Sequence, residues 1–121
     1  MLEGMKVLLI VQDPPYGTEK AYNALRLAMA LQREQTDVEV AMFLLGDAVS
    51  CALPDQATPQ GYYNLERMLK AVLAKGGQVK LCGSCAEARG LKDLGLIEGA
   101  ELSTMGQLAQ RVVESDKVVT F

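Results

Sequence analysis

Apolar residues fill positions 5–11 with Lys6 as the single interruption, a run too continuous to leave one face wet. A strand buried on both faces of a parallel sheet presents such a run. Asp13-Pro14-Pro15-Tyr16-Gly17 cannot extend it, because proline withholds a ladder donor, so a loop is expected there. The period then changes from 2 to 3.6. Thr18 is the expected N-cap with Glu19 in the first turn, and a helix is expected to run to about Gln35. Ala24, Leu27, Ala28 and Leu31 make one stripe of that helix, and Tyr22, Leu25 and Met29 make another. Two stripes exceed what one sheet surface needs, so the helix is expected to be covered from a second side.

Positions 38–45 alternate at first and then turn continuously apolar, which predicts a second strand closed by Gly46-Asp47. Asp47 is the expected cap of a short helix through Ala48, Val49, Ser50 and Cys51. Residues 54–61 carry two prolines and no hydrophobic period, and read as an exposed loop at the edge of a site. Leu65, Met68, Leu69 and Val72 mark the next helix, which Gly76-Gly77 stops. Gln78-Val79-Lys80-Leu81 reads as a short strand. Thr104 and Gln107 have capping-box spacing and open a helix carrying Met105, Leu108, Ala109 and Val112, and Val118-Val119-Thr120-Phe121 closes the chain as a strand.

Strands alternating with helices predict a parallel sheet covered on both faces. The expected fold is a single-domain three-layer α/β/α arrangement over residues 1–121, with a mainly parallel sheet of about five strands. Ligands bind such sheets at the carboxyl ends of the strands. The loop from Asp13 to Gly17, the Gly46-Asp47 turn and Cys82 all fall there.

Composition narrows the chemistry. Half the residues are apolar and only 5% aromatic, so Leu, Val, Ala and Met must build the core. A net charge of −3 without a basic run argues against nucleic acid as a partner. No apolar run reaches membrane-spanning length and no signal-peptide pattern is seen at the N-terminus, so a cytoplasmic protein is expected. Three cysteines and no histidine fit free thiols in a reducing compartment.

The chemistry therefore concentrates in Leu81-Cys82-Gly83-Ser84-Cys85-Ala86-Glu87-Ala88-Arg89-Gly90. Two thiols three residues apart, where a strand gives way to a helix, permit disulfide exchange, half a zinc site, or one reactive thiol with a neighbour. Zinc is short of ligands, since Cys51 is the remaining thiol, and neither metal nor cofactor is expected. Thiolates are stabilised by helix N-termini and nearby cations, and Arg89 lies one turn beyond Cys85. Burial of both cysteines as small hydrophobes is the plain structural alternative.

The chain resembles the DsrE/DsrF-like family, and within it the small YchN-like branch. The resemblance is carried by Pro15-Tyr16-Gly17, Asn23-Ala24-Leu25-Arg26-Leu27-Ala28, Asp47-Ala48-Val49, Gly61-Tyr62, Leu81-Cys82 with Cys85, Arg89-Gly90, Ser115-Asp116-Lys117-Val118 and the terminal Phe121, in order along nearly the whole chain. It implies a compact α/β protein that assembles with itself as a trimer or hexamer. It also implies a sulfur relay, with sulfane sulfur held as a persulfide on Cys82, passed between donor and acceptor proteins, and Arg89-Gly90 downstream as the anion-stabilising segment. Cys85 departs from the relay pattern and is open to a resolving role, attacking the Cys82 persulfide. Two other readings stay open: an oligomeric binding module without catalysis, suggested by the doubly striped first helix, and a Cys82/Cys85 dithiol redox protein. Asp13, Tyr16, Gly17 and Asp47 are candidate ligand-binding positions, with turn chemistry and helix capping as their structural alternatives. Tyr62 and Tyr63 are placed to help cover the site.

Overall fold

The computed structural model describes residues 4–121, and its sheet follows directly from the apolar runs. Among the described residues, β1 (Met5–Val11), β2 (Val38–Leu44), β3 (Gln78–Cys82), β4 (Ala100–Ser103) and β5 (Lys117–Thr120) form one sheet in the order β4-β3-β2-β1-β5. Every pairing is parallel. The central strands β1 and β2 are the most continuously apolar, and from Val7 and from Val40 onward every residue of each is buried. The expected three-layer α/β/α fold is present.

The helices are α1 (Lys20–Glu34), α2 (Leu65–Ala74), α3 (Gly83–Ala88) and α4 (Met105–Glu114), with a 3₁₀ helix at Gly46–Ala52 after β2. Successive connections from β1 to β4 step in one direction across the sheet, and the return from β4 to β5 reverses. Right-handed crossovers then put α4 on the face opposite α1, α2 and α3. The first face is densely filled: Ala24, Leu25, Ala28, Leu65, Leu69 and Val72 are essentially inaccessible. Among the described residues the opposite face has α4 alone, with Leu108 its one buried residue, while Met105, Val112 and Val113 on α4 and Val118 on β5 stay exposed.

Covering of α1 from a second side comes from within the chain. Its second stripe meets α2 and the residues just before it: Tyr22 stacks on Tyr63, and Gln32 Nε2 donates to the Val72 carbonyl at 2.9 Å. Gly77 permits that approach, since a Cβ there would lie 2.6 Å from Val72 Cγ1 and 2.7 Å from Gln32 Nε2. This cover is partial, since Tyr22, Leu27 and Met29 stay half-buried.

Three local expectations are corrected. Thr18 does not cap α1; Glu19 occupies that position without a side-chain bond, and the Thr18 hydroxyl instead accepts from Lys20 N at 3.2 Å while donating to Asp13. Asp47 does not cap the 3₁₀ helix, whose N-cap is Leu45 with no side-chain bond, because its carboxylate is held elsewhere. The capping box at α4 is half formed: Thr104 Oγ1 accepts from Gln107 N at 3.1 Å, but the Gln107 side chain turns to Ser103. In addition, β4 went unseen in the periodicity. It is a four-residue edge strand with Glu101 and Leu102 exposed, too short and too wet to leave a hydrophobic signal.

Candidate functional site

Parallel strands deliver their carboxyl ends to one rim, and β3 ends there on Cys82. The chain turns at once into α3, with Cys82 in extended geometry as the N-cap. Its sulfur takes the place a serine oxygen would hold, accepting from Cys85 N at 3.3 Å. Ser84 Oγ also lies 3.3 Å from that sulfur. Gly83 lets the helix start against the neighbouring strand, because a Cβ would come within 3.1 Å of the Ser103 carbonyl of β4.

One helical turn brings the second thiol over the first. Cys82 and Cys85 are joined as a disulfide, with Cα atoms 5.2 Å apart. Cys82 is 4% exposed and Cys85 is half-buried. In the reduced state the Cys85 amide points at whatever charge the Cys82 sulfur carries, and an N–H aimed at sulfur favours the anion.

Arg89 closes α3 but makes no hydrogen bond to the Cys82 sulfur. Its Nε donates to Asp47 Oδ1 at 2.9 Å, and its Nη1 donates to the Cys85 carbonyl at 3.1 Å. It thus ties the C-terminal end of α3 to the turn after β2. Cys82, Cys85, Arg89 and Asp47 form one cluster.

The remaining predicted positions form a second cluster on the β1 loop. Asp13 accepts from the Thr18 hydroxyl at 2.7 Å, and its carbonyl lies 3.8 Å from the Cys51 sulfur. Gly17 packs beside Pro14. Tyr16 adopts left-handed backbone geometry (φ 67°), and its hydroxyl donates to Gln56 Oε1 at 2.5 Å while accepting from Leu65 N at 3.0 Å. No hydrogen bond joins either Asp13 or Tyr16 to Cys82, Cys85 or Arg89 among the described residues. Cys51 is fully buried, and burial, reinforced by the Asp13 charge, pushes its thiol up to about 12. A thiol so held stays protonated and inert.

Sequence reasoning missed Gln56. Its Nε2 donates to the carbonyls of Cys51 and Leu53, both at 2.9 Å, its amide N–H donates to Glu66 at 2.8 Å, and its carbonyl accepts from Asn64. Lys70 and the Gln56 amide together hold the Glu66 carboxyl below its usual range. The segment read as a loose loop is fastened at its centre to three parts of the molecule. No periodicity announces such a residue.

The four tyrosines also converge. Tyr22 and Tyr63 stack with centroids 4.0 Å apart, Tyr62 and Tyr63 at 4.4 Å, and Tyr16 lies 5.7 Å from Tyr63. The hydrogen bond Tyr63 shares with Tyr62, with burial and neighbouring charge, raises the Tyr63 hydroxyl to about 12. They lie against α1 and α2, and not over the thiols.

Among the described residues, no helix is long and apolar enough to cross a membrane, and no group of three or more His, Cys, Asp or Glu side chains is arranged to hold a metal ion.

The sequence profile of the DsrE/DsrF-like family matches residues 5–121. Protein YchN of Escherichia coli (strain K12) is 40% identical over 116 residues, covering 96% of this chain and 98% of that protein. The crystal structure of the E. coli ychN protein superposes with a TM-score of 0.93 at 39% identity, covering 97% of this chain and 99% of that one. Sulfurtransferase TusD of Enterobacter sp. (strain 638) is 30% identical over 129 aligned positions, covering 97% of this chain and all of that protein.

Proposed function

The chain belongs to the DsrE/DsrF-like family, and from that premise we propose that it is a sulfur-relay protein that carries sulfane sulfur on Cys82. The observation that carries the reading is the position of Cys82: last residue of β3, N-cap of α3, with the Cys85 amide donating to its sulfur. Similarity to TusD, a sulfurtransferase by name, supports the class of activity.

In the reduced protein the Cys82 thiolate attacks the outer sulfur of a donor persulfide. The donor S–S bond breaks, the donor thiolate leaves, and Cys82 holds the persulfide. An acceptor thiolate on a partner protein then takes the outer sulfur and returns Cys82 to the thiolate, with no net oxidation. The Cys85 amide and the start of α3 stabilise the anion at both stages. Arg89 grips the Cys85 carbonyl through Nη1, and Asp47 offsets part of the charge it presents to the thiolate.

Cys85 gives the site a discharge route. Its thiolate attacks the inner sulfur of the Cys82 persulfide, forming the disulfide present in the structure and expelling hydrosulfide. A dithiol reductant must then reopen the pair before reloading, which fits a reducing cytoplasm.

Self-association completes the proposal. The exposed apolar residues of α4 and β5, on the thinly covered face of the sheet, supply a surface for assembly as a trimer or hexamer.

The test is mass measurement after incubating the reduced protein with a polysulfide donor. The wild type is expected to gain one sulfur atom on Cys82. A Cys82→Ala variant that gains as much, or a wild type that gains none, ends the proposal.

A further inference from the structure

Away from the thiols, α1 and α2 enclose an open groove of about 680 Å³ whose lining includes Tyr22, Tyr62, Tyr63, Arg26, Arg33 and Arg67. Three of the chain's five arginines therefore meet here, in a molecule of net charge −3, and no acidic residue among the described ones lines the groove. Arg26 sits over the Tyr22 ring at 5.4 Å and bonds Asn23. Arg67 has no carboxylate within ion-pair distance among the described residues, and the partner of Arg33, Glu34, does not line the groove. The charge selects an anion.

The rings select a planar one. Tyr22, Tyr63 and Tyr62 stack in succession, at 4.0 and 4.4 Å with interplanar angles of 20° and 24°. Arg26 covers the Tyr22 end, whereas Tyr62 at the other end is 49% exposed, with Tyr16 tilted beside it at 6.2 Å. A flat ring laid on Tyr62 would extend the stack by one rung, and stacking on tyrosine accepts any base because every base has a π-face. Arg26 and Arg33 are seven residues apart on α1, so about 10 Å separates them along one face. That span suits a chain of two or more phosphates better than a single one.

We propose that this groove is a binding site for a nucleoside di- or triphosphate, with the base on Tyr62 and the phosphates among Arg26, Arg33 and Arg67. An acidic peptide would satisfy the arginines but leave the stack without a continuation. The site is separate from the thiols, and the proposal stands whether or not Cys82 carries sulfur.

The chain has no tryptophan, so tyrosine fluorescence reports on the stack directly. The full chain is titrated with ADP, adenosine, pyrophosphate and poly-glutamate, following tyrosine emission and heat. ADP is expected to bind saturably and more tightly than either of its halves. Tyr62→Ala should weaken it about tenfold, and Arg67→Glu about tenfold or more, with circular dichroism unchanged because both residues lie at the surface. Conversion of Cys82 to Ala should leave ADP binding intact. The proposal is overturned if ADP does not saturate at millimolar concentration, if both groove variants bind it as wild type does, or if poly-glutamate binds more tightly than ADP. It is equally overturned if Tyr62→Ala dissociates an oligomer that itself takes up no ADP, which would assign the groove to a second copy of the chain.

Discussion

Asp47 and Arg89, 42 positions apart in sequence, are joined by a 2.9 Å ion pair that ties the turn after β2 to the end of α3. Both side chains are substantially exposed, so the pair contributes at most about 1 kcal/mol to folding. Its effect on the thiol has a sign. Replacing Asp47 with Asn leaves the arginine charge unopposed and should speed iodoacetamide alkylation of reduced Cys82 near neutral pH. Arg89→Gln should slow it, by a few-fold in each case. Rate shifts of the same sign in both variants would remove Arg89 from any electrostatic account of the site.

Cys85→Ser should keep the Cys82 persulfide and lose the discharge. After loading, the wild type is expected to release hydrosulfide and settle as the disulfide, whereas the variant holds its extra sulfur until an external thiol is added. Sulfide assay and intact mass read the two products separately. Equal sulfide release from both proteins would show that Cys85 resolves nothing.

Cys51 should resist alkylation in the native protein and react fully once urea unfolds it. Its thiol is raised from an ordinary 9.0 to about 12 by burial, so the folded state holds the proton more tightly than the unfolded chain does. The resulting stability is complete below pH about 9 and is lost as the pH rises toward about 12. Urea midpoints across that window should fall less steeply for Cys51→Ala than for the wild type. Matching slopes would show that the thiol is not the source.

Gln56→Ala should cost about 2–3 kcal/mol, because it strands the Cys51 and Leu53 carbonyls and the Tyr16 hydroxyl together. Tyr16→Phe removes a single hydroxyl and should cost about 1 kcal/mol. Denaturant unfolding measures both. If the two costs are equal, the Gln56 bonds to the carbonyls contribute nothing.

Much of this molecule was legible before its coordinates. Continuous apolar runs reported β1 and β2 because burial on two faces leaves no polar alternation, and the strand before Cys82 announced where the thiol would stand. The glycines after α2 likewise marked its end, Gly76 taking positive φ. What stayed hidden was set by contacts between distant positions. Asp47 looked like a cap because acids before short helices usually are, and only the fold brings Arg89 within its reach. The doubly striped α1 suggested a neighbouring subunit, yet part of its cover comes from the same chain, through contacts such as Tyr22 with Tyr63 just before α2. Gln56 carries no periodic signal, since a polar side chain in a proline-bounded segment looks the same whether solvated or fully bonded.

The fastening at Gln56 also determines where this chain can change length. Most side-chain bonds that fix the segment between Leu53 and Asn64 converge on that one residue, so a residue inserted or removed before it would pull the amide away from Cys51, Tyr16 and Glu66 at once. Residues 57–61 follow the anchor and are mostly exposed, and a change in their number need only bulge outward before Asn64 starts α2. The same irregular stretch is thus a fixed ruler over its first half and an expansion joint over its second.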